Sequence, residues 1–143
     1  MILPDVNVLI YSFRRDTDRH EEYRLWLLDT LNGDSLFGVY EIVLASVVRI
    51  CTHPKIFKKP SKTSDVFSFC QAILSHSNCL RVTPGERHWG IFQRLCRYSS
   101  IKENLIPDAY LAALAIESGC EWITTDRNFK RFKGLRSRQP LDN

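Results

Sequence analysis

Residues 107–126 read PDAYLAALAIESGCEWITTD, and this stretch decides the fold class. Asp108–Ser118 carries Leu111, Leu114 and Ala115 on one helical face, and Gly119 supplies a C-terminal stop. Glu121–Thr125 follows as a strand, and Asp126 ends it. A helix leading within two residues into a short apolar strand is the repeating unit of an α/β fold with a mostly parallel sheet.

The same alternation extends towards the N-terminus. Met1–Leu3 reads as a strand that ends at Pro4-Asp5, and Val6–Phe13 continues it or starts a helix. Thr17 or Asp18 is placed to cap a helix with the stripe Tyr23, Trp26, Leu27 and Leu31, closed by Asn32-Gly33. Leu36–Tyr40 reads as a strand and Glu41–Cys51 as a helix or a long strand, stopped by Pro54. Ser64 caps the stripe Val66, Phe69, Cys70, Ile73 and Leu74. Cys79–Val82 is a strand, Trp89 to Cys96 repeats at helical spacing, and Ser99–Pro107 reads as a loop. No repeat or linker divides the 143 residues, a length expected of one domain spanning 1–143.

Composition narrows the class. Apolar residues make up 44% and charged residues 25%, which fits an ordinary globular chain and excludes disorder. The five cysteines contain no C-x-x-C pair, so no zinc ribbon or thioredoxin-like motif is available; they read as reduced thiols of a cytosolic protein. The order of charges at the N-terminus is wrong for a signal peptide, and no apolar run is long enough to span a membrane. The formal charge is +4, and it is unevenly placed. Residues 127–143 carry six basic groups against Asp142 alone, while residues 1–126 are near neutral. A second basic run from Arg49 to Lys62 holds no acid. Such stripes suit a polyanion such as nucleic acid, and they equally suit a solvated surface.

Four acids stand where parallel-sheet sites form, at the carboxyl ends of strands. Asp5 and Asp126 follow strands, Glu41 opens the segment after Leu36–Tyr40, and Asp108 opens the helix after Pro107. Singly, each is explained by helix capping or by the helix dipole. Together they are predicted to converge on one crevice, where clustered carboxylates require a cation. Oxygen ligands without His or Cys select Mg²⁺ or Mn²⁺. Such ions bridge phosphate oxygens and activate water for attack on a phosphodiester. Asn7 is placed to orient Asp5, Thr124 and Thr125 beside Asp126 to hydrogen-bond a metal-bound water or a phosphate, and Arg14 and Arg15 to touch phosphate. His20, His53, His76 and His88 are scattered and read as surface or loop residues. No Gly-rich phosphate loop and no G-x-S-x-G elbow is present.

These residues carry a resemblance. Ile2-Leu3-Pro4-Asp5-Val6-Asn7-Val8-Leu9-Ile10 resembles the first motif of the PIN-domain ribonucleases, and Pro107 to Ala115 resembles their third acidic motif. Trp122 to Phe129 is similar to the last, and Glu41 falls where the family has its second acid. The set, running from Met1 to Leu141, most resembles the VapC-type toxins of VapBC toxin–antitoxin pairs. The resemblance implies a three-layer α/β sandwich with a short, mostly parallel sheet and helices on both faces. It further implies an Mg²⁺- or Mn²⁺-dependent endoribonuclease that cuts tRNA or ribosomal RNA, forms a homodimer and is silenced by a VapB antitoxin. Asp5, Glu41, Asp108 and Asp126 become the metal-binding acids, with Thr124 as the hydroxyl beside them. Many relatives carry another acid where this chain has Asn128, which offers a carbonyl oxygen but no charge. The basic segments, with Lys58, Lys59 and Arg127, are expected to hold phosphates. One alternative is a PIN domain without catalysis that binds RNA or protein. Another, a small phosphohydrolase of the haloacid-dehalogenase kind, needs D-x-D where the chain has Asp5-Val6-Asn7.

Overall fold

A computed structural model of the chain describes residues 1–98 and 101–142. Five short strands form one sheet in the order β3-β2-β1-β4-β5, with every pairing parallel. They are β1 (Ile2–Pro4), β2 (Phe37–Val39), β3 (Cys79–Arg81), β4 (Glu121–Ile123) and β5 (Ser137–Arg138). Six helices connect them: α1 (Val6–Phe13), α2 (His20–Asn32), α3 (Glu41–Cys51), α4 (Thr63–Leu74), α5 (His88–Tyr98) and α6 (Ile106–Ser118). No helix among the described residues is long and apolar enough to cross a membrane.

β1 is central because it is apolar on both sides, as a strand covered on two faces must be. Alternation along the neighbouring β4 sends Trp122 into the main core and Ile123 into a second cluster with Val8 and Tyr23. Helices therefore cover the sheet on both faces. α6 buries a row of small side chains: Ala109, Ala112, Ala113 and Ala115 are fully buried. Trp122, Phe129 and Phe132 fill the core nearby, the Trp122 and Phe129 rings tilted at 45° with centroids 5.4 Å apart. Replacing Trp122 by Ala would leave a cavity costing about 3–5 kcal/mol.

Several local expectations change. Val6–Phe13 is a helix, because Asp5 caps it: its carboxylate accepts from the Val6 N–H at 2.7 Å. Glu41–Cys51 is also a helix, so length outweighs its β-branched content. Neither Thr17 nor Asp18 caps α2. The cap position is Arg19 in the left-handed region (φ 56°), and the Thr17 hydroxyl instead donates to the Arg14 carbonyl at 2.6 Å. Ser64 lies inside α4, whose cap position is Lys62. α6 starts at Ile106, two residues before Asp108, with Pro107 in its first turn. A 3₁₀ turn at Glu103–Leu105 occupies part of the expected loop, whose first residues, Ser99 and Ser100, lie outside the described residues. β5 has no counterpart in the sequence reading.

Candidate active site

β1 and β4 are neighbours in the sheet, so residues beyond their carboxyl ends meet. Asp5 follows β1, and Thr124 and Asp126 follow β4. The Thr124 hydroxyl donates to Asp5 Oδ2 at 2.6 Å, and the same Oγ1 accepts from the Asp126 N–H at 3.0 Å. Asp5 is buried, with Oδ1 held by the Val6 N–H. Both of its oxygens are fixed, and each keeps a lone pair for another partner.

Asp108 enters from the first turn of α6. Its carboxyl is pushed up to about 6, by burial first and then by the negative charges of Asp126 and Asp5; Arg131 works in the opposite sense. Burial also raises Asp5, and the Thr124 and Val6 hydrogen bonds oppose that rise while the Asp126 charge adds to it. Asp5, Asp108 and Asp126 therefore share one electrostatic site. Repulsion of this kind is relieved when a cation joins the acids.

Glu41 is not part of that group. It stands at the first position of α3, exposed, and both its oxygens lie 3.2 Å from Arg81 Nη1 at the end of β3. It lines the groove between α3 and α4 with Leu44, Val48 and Phe67. Of the four expected acids, Asp5, Asp108 and Asp126 influence one another's charge, while Glu41 is paired with Arg81. The reason is geometric: the end of β2 lies between the ends of β1 and β3, and the first residue of α3 points towards β3.

The remaining expected residues divide. Asn7 lies in the first turn of α1, and among the described residues no hydrogen bond joins it to Asp5. The Asn128 backbone N–H donates to Asp126 Oδ1 at 2.9 Å, so Asp126 caps the 3₁₀ turn that follows it. Arg14 is buried and is not a phosphate contact. Its guanidinium grips Asp16 (2.6 and 2.8 Å), the Lys59 carbonyl (2.9 Å) and the Ser61 hydroxyl (2.9 Å), and covers the Phe57 ring. It ties α1 to the basic loop that presents Lys58 and Lys59 to solvent. Arg15 and Arg127 are exposed. In the basic tail, Lys130 is committed to the Ser137 carbonyl, Arg136 to the Gly119 carbonyl and Arg138 to Glu121. Half of the tail's positive charge thus serves the fold. His88, expected at the surface, is buried and pairs with the Tyr110 carbonyl at 2.9 Å.

The donor chemistry fits a hard divalent cation. The acids offer oxygen only, and Mg²⁺ is typically held by one or two carboxylates while water and substrate phosphates complete its shell. Among the described residues no three acidic, His or Cys side chains form a ready-made metal cage.

The fold and site define a PIN domain: residues 2–135 match that family, and the chain belongs to it. Within the family its relatives are VapC ribonucleases. A VapC ribonuclease of Mycobacterium bovis is 39% identical over 142 residues, covering 99% of this chain and 97% of the relative. Ribonuclease VapC25 of Mycobacterium tuberculosis is 38% identical over 140 residues, covering 98% and 99%. Among solved structures, VapBC2 of Rickettsia felis bound to a promoter DNA fragment aligns with a TM-score of 0.68 at 20% identity, covering 97% of this chain and 98% of its own. VapC20 of M. tuberculosis, a sarcin–ricin loop cleaving toxin, aligns with a TM-score of 0.63 at 16% identity, covering 95% and 99%. The expected α/β architecture and toxin family are thereby borne out.

Proposed function

We propose that this chain, as one PIN domain over residues 1–143, is a divalent-metal-dependent endoribonuclease toxin in which Asp5, Asp108 and Asp126 hold Mg²⁺ or Mn²⁺. The observation that carries this reading is the mutual charge of these three carboxylates at the carboxyl edge of a parallel sheet, one of them pinned by Thr124. The ion would bridge phosphate oxygens and activate water. The chain's own residues prepare that site. Val6 N–H and Thr124 fix the orientation of Asp5, so no side-chain freedom is lost there on binding. Thr124 also holds the Asp126 backbone, which couples the two acids through one hydroxyl. Asp108, raised to about 6, is largely ionised at pH 7 and becomes fully so beside a cation.

The substrate is a structured RNA, a tRNA or a ribosomal RNA. The fold shared with a sarcin–ricin loop cleaving toxin supports this choice, as does the exposed Lys58–Lys59 pair. A VapB-type antitoxin is the expected inhibitor and a homodimer the expected assembly, both in the cytoplasm; the VapBC complex among the structural relatives supports the antitoxin. The test incubates total RNA with wild type and with Asp126→Asn, in Mg²⁺ or Mn²⁺ and in chelator. Cleavage should require both the metal and Asp126. Binding without cleavage in every condition would instead make the chain an RNA-binding module.

A further inference from the structure

An apolar pocket of about 350 Å³ opens between α3 and α6, with Val6 of α1 and Phe92 of α5 completing its lining. That volume falls within the range of small-ligand sites. Two of its lining residues are joined directly to acids of the candidate site. Val6 donates its N–H to Asp5 Oδ1 at 2.7 Å, and Pro107 is peptide-bonded to Asp108. Leu111, also in the lining, stands one helical turn after Asp108 and so shares its face of α6. The pocket therefore adjoins the acidic crevice.

Its walls are aromatic as well as apolar: Tyr40, Phe92 and Tyr110 all contribute. The Phe92 and Tyr110 rings meet edge to face with centroids 5.4 Å apart. Buried His88 fixes Tyr110 from behind, its ring edge-on at 4.3 Å and its Nε2 2.9 Å from the Tyr110 carbonyl oxygen. From Phe92 the row of rings continues outward to Trp89, at 5.5 Å, which is 61% exposed. Rings already fixed lose little freedom when a flat group stacks on them. The metal chemistry proposed above makes no use of these side chains.

We infer that this pocket receives one unpaired base of the RNA, from a nucleotide beside the scissile phosphate, and so selects which nucleotides are cut. A phosphate drawn to the acids carries its neighbouring bases to the pocket, and unpaired bases splay out to stack on aromatic side chains. An apolar aromatic wall takes a base and rejects a second phosphate. This rests on the ribonuclease reading above.

The test cuts total RNA with Mn²⁺ by wild type, Phe92→Leu, Tyr110→Leu and Ile42→Ser, and maps the new ends by sequencing. Mn²⁺ binding to each RNA-free protein is followed by electron paramagnetic resonance, and its molecular mass by light scattering. Wild type should show a base preference at a fixed nucleotide next to the cut. Leu keeps an apolar side chain and removes the ring, so both Leu variants should cut about tenfold more slowly, as for loss of one base-stacking contact. They should also lose most of the base preference. Ile42 lines the pocket at a position 57% exposed, outside the core, and Ile42→Ser should slow cleavage about threefold without disturbing the fold. Mn²⁺ affinity and mass should stay at wild-type values in all three.

No base preference in wild type, or unchanged rate and preference in the variants, would overturn the assignment and leave the pocket to a protein partner. Parallel loss of Mn²⁺ affinity would overturn it by making these residues supports of the acids. A change of mass would overturn it by making this face the seat of a second copy of the chain. If wild type cuts no RNA, the ribonuclease reading falls and takes this role with it; if wild type cuts and the variants match it, the base pocket alone falls.

Discussion

Thr124 and Asp5, 119 residues apart in the chain, share a 2.6 Å hydrogen bond at the centre of the site. The hydroxyl serves both strands at once, donating to Asp5 and accepting from the Asp126 backbone. Thr124→Val removes both interactions inside a buried environment and leaves Asp5 Oδ2 without its donor. A loss of about 1–3 kcal/mol in urea unfolding is expected, together with weaker Mn²⁺ binding near neutral pH. Thr124→Ser, which keeps the hydroxyl, should recover most of both.

Asp108 makes the metal-free protein less stable as it ionises. Its folded value of about 6 lies above the ordinary value of 3.8, so the stability linked to its protonated form is present at low pH and is lost as pH rises through about 6. In chelator, the melting temperature should therefore fall across pH 4 to 7. Asp108→Asn should flatten that part of the profile and gain about 1 kcal/mol at pH 7 after allowance for solvent screening. The same variant should lose metal-dependent cleavage. Mn²⁺ should raise the melting temperature of wild type more at pH 7 than at pH 5.

Glu41 tests which acids belong to the site. An exposed pair with Arg81 contributes little, so Glu41→Gln should change stability by no more than about 0.5 kcal/mol. Its cleavage of total RNA should stay within about threefold of wild type, whereas Asp126→Asn should abolish it. A loss equal to that of Asp126→Asn would return Glu41 to the catalytic set.

Arg14 and the lysines that it positions should separate in a pair of measurements. Arg14→Ala leaves Asp16, the Lys59 carbonyl and Ser61 without their shared donor and should cost about 2–4 kcal/mol in urea unfolding. Lys58→Gln with Lys59→Gln should leave stability within about 0.5 kcal/mol. That double variant should reduce the salt slope of RNA binding by about 1.5, as expected for two phosphate contacts.

Much of this was legible in the sequence where local chemistry decides the outcome. The helix through Asp108, its Gly119 stop (φ 71°) and the acids after β1 and β4 follow from spacing and termini. Four features were hidden. β5 is two residues long, too short for any period to reveal, and exists only because β4 offers an unpaired edge. Arg14 and His88 are polar residues buried by partners that lie 22 to 47 residues away, and composition assigns such residues to the surface. Glu41 stands at a strand end like Asp5, but which way a helix's first side chain turns depends on the neighbouring strand. The 3₁₀ turn after Asp126 was likewise unread, although the buried Phe129 and Phe132, three residues apart, carry its period.

The pairing of β1 with β4 has a consequence in time as well as in space. Asp5 is made 119 residues before Thr124. A chain still being translated holds Asp5 without the hydroxyl that orients it and without the second acid. Any product truncated before β4 is in the same condition. The hydrogen-bonded pair of acids therefore forms only after Thr124 and Asp126 have been made.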